Sequence, residues 1–274
     1  MFQFKSEMIT DDIRRIHGFS DEQMYLIEGS ERAALIDTGC GIGDLKAYTD
    51  RLTEKEIIVI LTHGHLDHAL GADPFDTVYV NHADDEVYER HKQPDYRELY
   101  YGIIPGYEQL EPQDRAPAMD FGRARNLEDG QEFDLGGLTL KIIACPGHTP
   151  GSMTVLVKEE RILIAGDACN PFTFLFFPEA LPLGEYEDVL KEYKERVTGT
   201  YDRVLFSHGA VEEPATDIID NVIEACEIAR QGEAVNIPVR FADGTTGMMA
   251  KAINGQFVDA DGKFGNVVFN PDRI

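Results

Sequence analysis

Three histidines and one aspartate fall close together in the segment Thr62-His63-Gly64-His65-Leu66-Asp67-His68. His63, His65 and Asp67 are spaced two apart, so in an extended chain their side chains point in one direction. His68 breaks this alternation, as it would if a helix began there. Imidazole nitrogens and carboxylate oxygens are ligands that suit zinc. One short turn can therefore direct four metal ligands into a single cavity.

Three further candidate ligands follow apolar segments later in the chain. His148 lies in Cys145-Pro146-Gly147-His148, Asp167 in Ala165-Gly166-Asp167, and His208 in Ser207-His208-Gly209. A small neighbour lets the backbone approach a crowded centre. Five of the eight histidines and two aspartates thus form a set large enough for two metal ions. Three histidines lack partners at suitable spacing and are interpreted as structural or exposed: His17, His82 and His91.

Strand and helix patterns alternate along the chain and place these residues at strand ends. Residues 57–61 form a continuous apolar run, which predicts a strand covered on both faces just before His63. The other predicted strands are 24–28, 33–36, 77–80, 138–143, 152–157, 161–165, 204–206 and 265–270. The predicted helices are 43–52, 83–91, 184–197 and 216–231. Strands mixed with helices in this way predict a layered α/β fold.

The chain has 274 residues, against a rough prior of about 150 residues per domain. No low-complexity linker divides it, so we expect one domain over 1–274. From the order of its predicted strands and helices, we expect the domain to consist of two similar halves, the first of which ends near residue 130. Residues 93–128 are less regular and rich in tyrosine and proline. This segment is predicted to be an inserted lid or loop.

Composition limits the classes of partner. The formal net charge is −25, which argues against nucleic acid and anionic membrane surfaces as partners, because both are negatively charged and bind positively charged proteins. No apolar run approaches the ~20 residues of a membrane span, and the first residues lack the apolar core of a signal peptide. The four cysteines form no C-x-x-C pair, which disfavours a zinc–thiolate cluster and favours a reduced, cytoplasmic location.

The motif His63-x-His65-x-Asp67-His68, followed in order by His148, Asp167 and His208, resembles that of the metallo-β-lactamase-fold hydrolase superfamily. The resemblance covers about residues 20–210. It implies a four-layer αβ/βα sandwich with two similar halves and with metal ions at one edge.

The resemblance also implies a role for each residue. His63, His65 and His148 would hold the first metal; Asp67, His68 and His208 would hold the second; and Asp167 would bridge the two. Asp37, in Leu35-Ile36-Asp37-Thr38-Gly39, matches a further family position and would fix a ligand histidine. Two divalent cations lower the pKa of a shared water towards ~7 and so make hydroxide at neutral pH. Asp67 would orient that nucleophile and take its proton.

Two aromatic segments are candidates for substrate contacts. Phe174 and Phe176 lie in a dense apolar run after Asp167, which is either core packing, a pocket wall or a dimer interface. In the 93–128 insert, a tyrosine offers both an apolar face and a hydroxyl to a ligand. The insert residues taken as candidates are Tyr100, Tyr101 and Tyr107.

The function favoured by these residues is metal-dependent hydrolysis of a small ester, thioester or lactone at a dinuclear centre. Zinc is the expected metal, with iron and manganese left open because the same ligands accept all three. The flavodiiron branch has a Glu in place of His65, and acyl-homoserine lactonases carry a Tyr soon after the bridging Asp, where this chain has Ala168-Cys169-Asn170. Two alternatives stay open: a mononuclear iron-dependent oxygenase resembling persulfide dioxygenases, and a metal-binding sensor without turnover. A small-molecule substrate is expected, and a homodimer is left open.

Overall fold

The structure, a computed structural model, describes residues 2–209, 214–254 and 259–274. The chain divides into two compact units, Met1–Ile142 (unit 1) and Ile143–Ile274 (unit 2). Each unit combines β-strands with α-helices, which confirms the predicted α/β class. Over the described ranges, none of the helices has both the length and the apolar character that crossing a bilayer requires.

Unit 1 is built on a seven-stranded sheet. Its strands are β1 (Lys5–Met8), β2 (Ile13–His17), β3 (Gln23–Glu28), β4 (Ala33–Ile36), β5 (Ile57–Ile60), β6 (Val78–Val80) and β7 (Arg125–Asn126), and they lie in the sheet in that order. Pairs from β1 to β4 are antiparallel, and pairs from β4 to β7 are parallel. A last hairpin, β8 (Glu132–Asp134) with β9 (Thr139–Ala144), ends unit 1. The division between the two units lies after Ile142.

Four short helices connect the strands of unit 1: α1 (Leu45–Thr49), α2 (Leu66–Ala69), α3 (Asp85–His91) and α4 (Pro94–Tyr101). α1 is shorter than the predicted helix over 43–52. Gly43 has a left-handed φ of 87°, so the helix starts only after it, where the Asp44 side chain accepts a hydrogen bond from the Ala47 amide. The 93–128 segment contains α4, three short 3₁₀ turns and β7.

Unit 2 holds two further groups of strands. The first contains β10 (Met153–Val157), β11 (Ile162–Gly166) and β13 (Arg203–Phe206), and the second contains β12 (Phe172–Leu175), β14 (Ile237–Arg240), β15 (Thr246–Met249) and β16 (Asn266–Phe269). β11 lies between an antiparallel β10 and a parallel β13. The second group is ordered β12-β16-β15-β14, with β12 parallel to β16. β10, β11, β13 and β16 agree with the predicted strands, whereas β14 and β15 were not predicted.

Two long helices cover the core of unit 2. They are α5 (Leu183–Val197) and α6 (Ile218–Arg230), both at the predicted places. Their apolar sides pack against buried strand residues. Leu190 of α5 and Val222 of α6 lie in the same core cluster as Leu163 of β11 and Val204 of β13. This packing fixes the carboxyl ends of β11 and β13, from which two of the candidate ligands emerge.

Candidate metal centre

The first cluster of candidate ligands, His63, His65, Asp67 and His68, follows β5 in unit 1. His65 has extended backbone angles and precedes the first residue of α2, so the chain changes from strand-like to helical within the cluster. The three histidines are buried, and the Asp67 side chain is 17% exposed. The change of direction brings all four side chains to one end of the strand, as the spacing predicts.

The first two histidines of the cluster face each other. Nε2 of His63 lies 3.1 Å from Nδ1 of His65. Two nitrogens that bind one tetrahedral zinc at ~2.0–2.1 Å are about 3.3 Å apart. Both atoms therefore stand at the spacing of two ligands of one ion, and a cation would displace the proton that they now share.

Hydrogen bonds to neighbouring groups fix the tautomer of His63. The Thr62 hydroxyl donates to Oδ2 of Asp37 at 2.8 Å, since a carboxylate oxygen accepts. Its oxygen, 3.1 Å from Nδ1 of His63, is then left to accept the hydrogen of that nitrogen. The His63 lone pair is consequently on Nε2, the atom that faces His65.

Asp37 holds His68 in the same way. Nδ1 of His68 donates to Oδ2 of Asp37 at 2.8 Å, and the Thr62 amide donates to Oδ1 at 2.7 Å. Asp37 itself has a left-handed φ of 61°, a conformation that costs energy in a non-glycine residue and persists only where its surroundings enforce it. The lone pair of His68 is thereby placed on Nε2, which lies 3.8 Å from Oδ2 of Asp67.

Residues from α3 and its preceding turn support this cluster, and no sequence pattern identifies them. Buried Asp84 accepts a hydrogen bond from the Gly64 amide at 2.8 Å. A Cβ on Gly64 would lie only 2.9 Å from that side chain, so glycine is required for the close approach. His91, interpreted from sequence as structural or exposed, is buried and stacks on the ring of His65 with 4.6 Å between centroids and 6° between planes.

The three tyrosines of the insert make different contacts. The Tyr100 hydroxyl lies 3.3 Å from Oδ2 of Asp67, and burial together with the charge of Asp67 raises the pKa of Tyr100 well above its usual value. Tyr101 is buried and donates to the carbonyl of Cys40 at 2.7 Å. Tyr107 donates to Glu98 at 2.7 Å. Tyr100 is therefore the member of the trio whose hydroxyl reaches a candidate ligand.

The second cluster, His148, Asp167 and His208, lies in unit 2. Asp167 follows β11 and His208 follows β13, and these strands are parallel neighbours, so their carboxyl ends share one edge. Oδ2 of Asp167 lies 3.5 Å from Nε2 of His208 and 3.8 Å from Nε2 of His148. The His208 side chain is one-third exposed, whereas that of His148 is buried.

The orientation of His148 is set by β12. Nδ1 of His148 donates to the carbonyl oxygen of Phe174 at 2.8 Å, which leaves its lone pair on Nε2, the atom nearest Asp167. Gly147 lets the loop come this close to α5. A Cβ there would lie 2.2 Å from the Tyr186 ring, and the φ of Gly147 is 152°.

The phenylalanine run after Asp167 packs within unit 2. Phe174 and Phe176 have ring centroids 5.1 Å apart, and the cluster includes Phe177 and Phe241. Phe176 is 2% exposed and is packed so closely on Gly247 that a Cβ there would lie 2.6 Å from its ring. Phe174 is partly exposed. Only the first part of the run, Phe172–Leu175, forms β12, and Phe174 is the member whose carbonyl oxygen contacts a candidate ligand.

The donor set fits divalent metal ions. In His63, His68 and His148 the Nδ1 hydrogen is held by a protein acceptor, which is how metal-ligating histidines are usually oriented. Each cluster also offers a carboxylate beside its Nε2 atoms. Imidazole with carboxylate suits zinc, iron and manganese. All four cysteines are buried and free of disulfides, and none belongs to either cluster.

Comparison with known proteins finds a matching family model and several related sequences. The family model of the metallo-β-lactamase superfamily matches residues 17–208. Acyl-coenzyme A thioesterase MBLAC2 of Bos taurus is 27% identical over 206 residues, which cover 68% of this chain and 72% of that protein. Hydroxyacylglutathione hydrolase GloC of Haemophilus influenzae is 23% identical over 201 residues, covering 72% of this chain and 89% of that protein.

Solved structures show the same fold. The metallo-β-lactamase from Pontibacter korlensis matches with a TM-score of 0.58 and 16% identity, over 82% of this chain and 99% of that one. The matched family region begins in β2 and ends at His208, so it contains every candidate ligand of both clusters. The chain belongs to the metallo-β-lactamase superfamily.

Proposed function

We propose that this protein is a metal-dependent thioester hydrolase whose two clusters form one dinuclear centre. The observation that carries the proposal is the common orientation of His63, His68 and His148. In each, Nδ1 is hydrogen-bonded to a protein acceptor, so the lone pair that could bind a metal is on Nε2. Thioesters are preferred to the other esters because MBLAC2 is named an acyl-coenzyme A thioesterase and GloC a hydroxyacylglutathione hydrolase.

The proposed ligand assignment follows the family order of the motif. The first metal would be held by His63, His65 and His148, and the second by Asp67, His68 and His208, with Asp167 as a ligand that both would share. Bound divalent cations supply a water of lowered pKa and polarise the substrate carbonyl. Zinc is the proposed metal.

The protein's own groups then have defined tasks. Asp67 orients the attacking water and accepts its proton, and Asp37 holds His68 in its ligating tautomer. In the reaction a bond forms between the water oxygen and the carbonyl carbon, the carbon–sulfur bond breaks, and a thiol and a carboxylic acid are released. Phe174 is partly exposed, and its own carbonyl oxygen orients His148. Its ring offers an apolar surface to the acyl group.

The test measures metal content and thiol release on the same preparations. Wild-type protein is expected to carry two metal ions per chain and to release free thiol from acyl thioesters. His68→Ala and Asp167→Asn should lose at least one ion and nearly all turnover. His82→Ala is the matched control, since that histidine is one-third exposed and pairs with Asp85.

The iron-dependent oxygenase makes a different prediction. It needs one iron and fewer ligands, so His68→Ala would leave its activity and oxygen consumption intact. Wild-type protein that binds one iron, consumes oxygen and releases no thiol would therefore overturn the proposal in favour of that alternative. A protein that holds two metals but hydrolyses no thioester would overturn the substrate class and leave the dinuclear centre standing.

A further inference from the structure

A chain of hydrogen bonds runs from a buried carboxylate to Asp67. Glu22, 2% exposed, accepts from the Ser20 hydroxyl at 2.6 Å and from the Cys40 amide at 2.8 Å. The Ser20 oxygen accepts in turn from the Tyr100 hydroxyl at 2.8 Å. The same Tyr100 hydroxyl lies 3.3 Å from Oδ2 of Asp67. Three side chains, those of Glu22, Ser20 and Tyr100, thus connect the interior of unit 1 to a proposed metal ligand.

The direction of these bonds follows from the chemistry of the groups. Carboxylate oxygens accept, so the single hydroxyl hydrogen of Ser20 points to Glu22. Ser20 is then an acceptor for Tyr100, and the one hydrogen of Tyr100 is divided between Ser20 and Asp67. A divided hydrogen accounts for a contact to Asp67 that is longer than the ~2.5–2.7 Å of an unshared bond to a carboxylate.

The surroundings of Glu22 are shaped to hold it in place. A Cβ on Gly18 would lie 2.2 Å from its carboxyl carbon, and a Cβ on Gly39 would lie 2.8 Å from its Oε1. Gly39 also has a left-handed φ of 70°. The backbone therefore closes around this carboxylate on two sides, which fixes Ser20 and, through it, the position of the Tyr100 hydroxyl.

We propose that Tyr100 is a positioning residue that holds the carboxylate of Asp67 in one orientation, itself held by Ser20 and Glu22. The terminal torsion of an aspartate is soft, so a carboxylate without a directional partner samples a broad range of angles. The Tyr100 hydroxyl, 2.8 Å from the Ser20 oxygen and 3.3 Å from Oδ2 of Asp67, supplies such a directional partner. This inference rests on the proposed metal centre, and it gives Tyr100 a task other than the substrate contact expected from sequence.

Tyr100→Phe removes the hydroxyl and keeps the ring, so the fold should be retained. We expect its affinity for the more weakly held of the two metals to fall about tenfold in chelator competition. We expect kcat to fall to a similar degree with KM unchanged. The visible spectrum of the cobalt-substituted protein should also change, because one ligand becomes less ordered. Tyr48→Phe is the matched control: its hydroxyl also lies beside a serine hydroxyl, 2.7 Å from Ser6, outside both clusters.

The contrary results are equally specific. Tyr100→Phe with wild-type metal affinity and cobalt spectrum would overturn the positioning role, and a raised KM alone would identify a substrate contact. Equal losses in Tyr48→Phe would mark a general effect on stability and would also overturn it. Since metal affinity is measured without substrate, a failure of the thioesterase proposal would leave this test intact.

Discussion

Nδ1 of His68 lies 2.8 Å from Oδ2 of Asp37, an aspartate held at a left-handed φ of 61°. The carboxylate also receives the amide and the hydroxyl of Thr62, so three donors converge on two oxygens. Because the hydroxyl of Thr62 also accepts from His63, this one carboxylate orients two candidate ligands.

Asp37→Asn tests this relationship. An amide offers one accepting oxygen in place of two, so at least one of the three donors loses its partner. Loss of such a supporting residue typically weakens metal affinity about 10–100-fold, and we expect a value in that range from chelator competition. Asp85→Asn, which changes an aspartate paired with surface His82, is the control. Unchanged metal affinity in Asp37→Asn would contradict the assignment.

Gly147→Ala tests the loop that carries His148. The added methyl would lie 2.2 Å from the Tyr186 ring, so the loop must shift and carry His148 away from Asp167. We expect a folded protein of reduced stability that has lost at least one metal ion per chain. Gly199→Ala is the matched control, because that glycine also has a positive φ but no atom within 4 Å of the new Cβ. Gly199→Ala should lower the free energy of unfolding by about 1 kcal/mol and leave the metal content unchanged. If both variants bound metal equally well, the position of the Gly147 loop would not determine metal binding by His148.

Replacing Phe174 or Phe176, the two phenylalanines proposed from sequence as substrate contacts, should have different effects on stability and on KM. Phe176→Ala removes a buried ring and is expected to lower the free energy of unfolding by about 3–5 kcal/mol. Phe174→Ala, at a partly exposed position, should alter stability less and raise KM for thioesters with long apolar acyl groups by about tenfold. Urea unfolding and steady-state kinetics measure the two effects. If KM for these substrates were unchanged in Phe174→Ala, the apolar surface would have no part in binding.

Glu187 on α5 gives a prediction about pH. Burial raises the pKa of Glu187, but hydrogen bonds from Lys191 and Arg230 outweigh it and hold the pKa below its usual value. A lowered pKa in the folded state means that this stabilisation is complete above the unfolded pKa of ~4.3 and is lost as pH falls through the folded value. Glu187→Gln should therefore be less stable than wild type at pH 7, by on the order of 1 kcal/mol, with the gap closing below pH 4.

The comparison for this prediction is Asp188→Asn, an exposed position on the same helix. Thermal unfolding at pH 7 and at pH 3.5 measures both variants. A gap for Glu187→Gln that stays constant across this range would show that the ion pairs do not set the pH dependence.

The candidate ligands could be proposed from sequence because most of them belong to one local motif. His63, His65, Asp67 and His68 fall within one turn after an apolar strand, and β5 lies within the predicted 57–61 run. β1 and β14 were not predicted, and most of their residues are exposed.

The residues that support the ligands could not be foreseen. Asp84, His91 and Glu22 act through hydrogen bonds and ring contacts between elements distant in sequence. A lone aspartate, histidine or glutamate carries no local pattern that distinguishes such a task from an ordinary surface or core position. Only the packing of α3 and of the turn before β3 against the cluster reveals them.

In the proposed function, one centre holds two metal ions. Diffraction from crystals of the purified protein at the zinc, iron and manganese absorption edges measures it most directly. We expect two anomalous peaks at the zinc edge, one beside His63, His65 and His148 and the other beside Asp67, His68 and His208. A single iron peak beside His63, His65 and His148, with none beside His68, would contradict it.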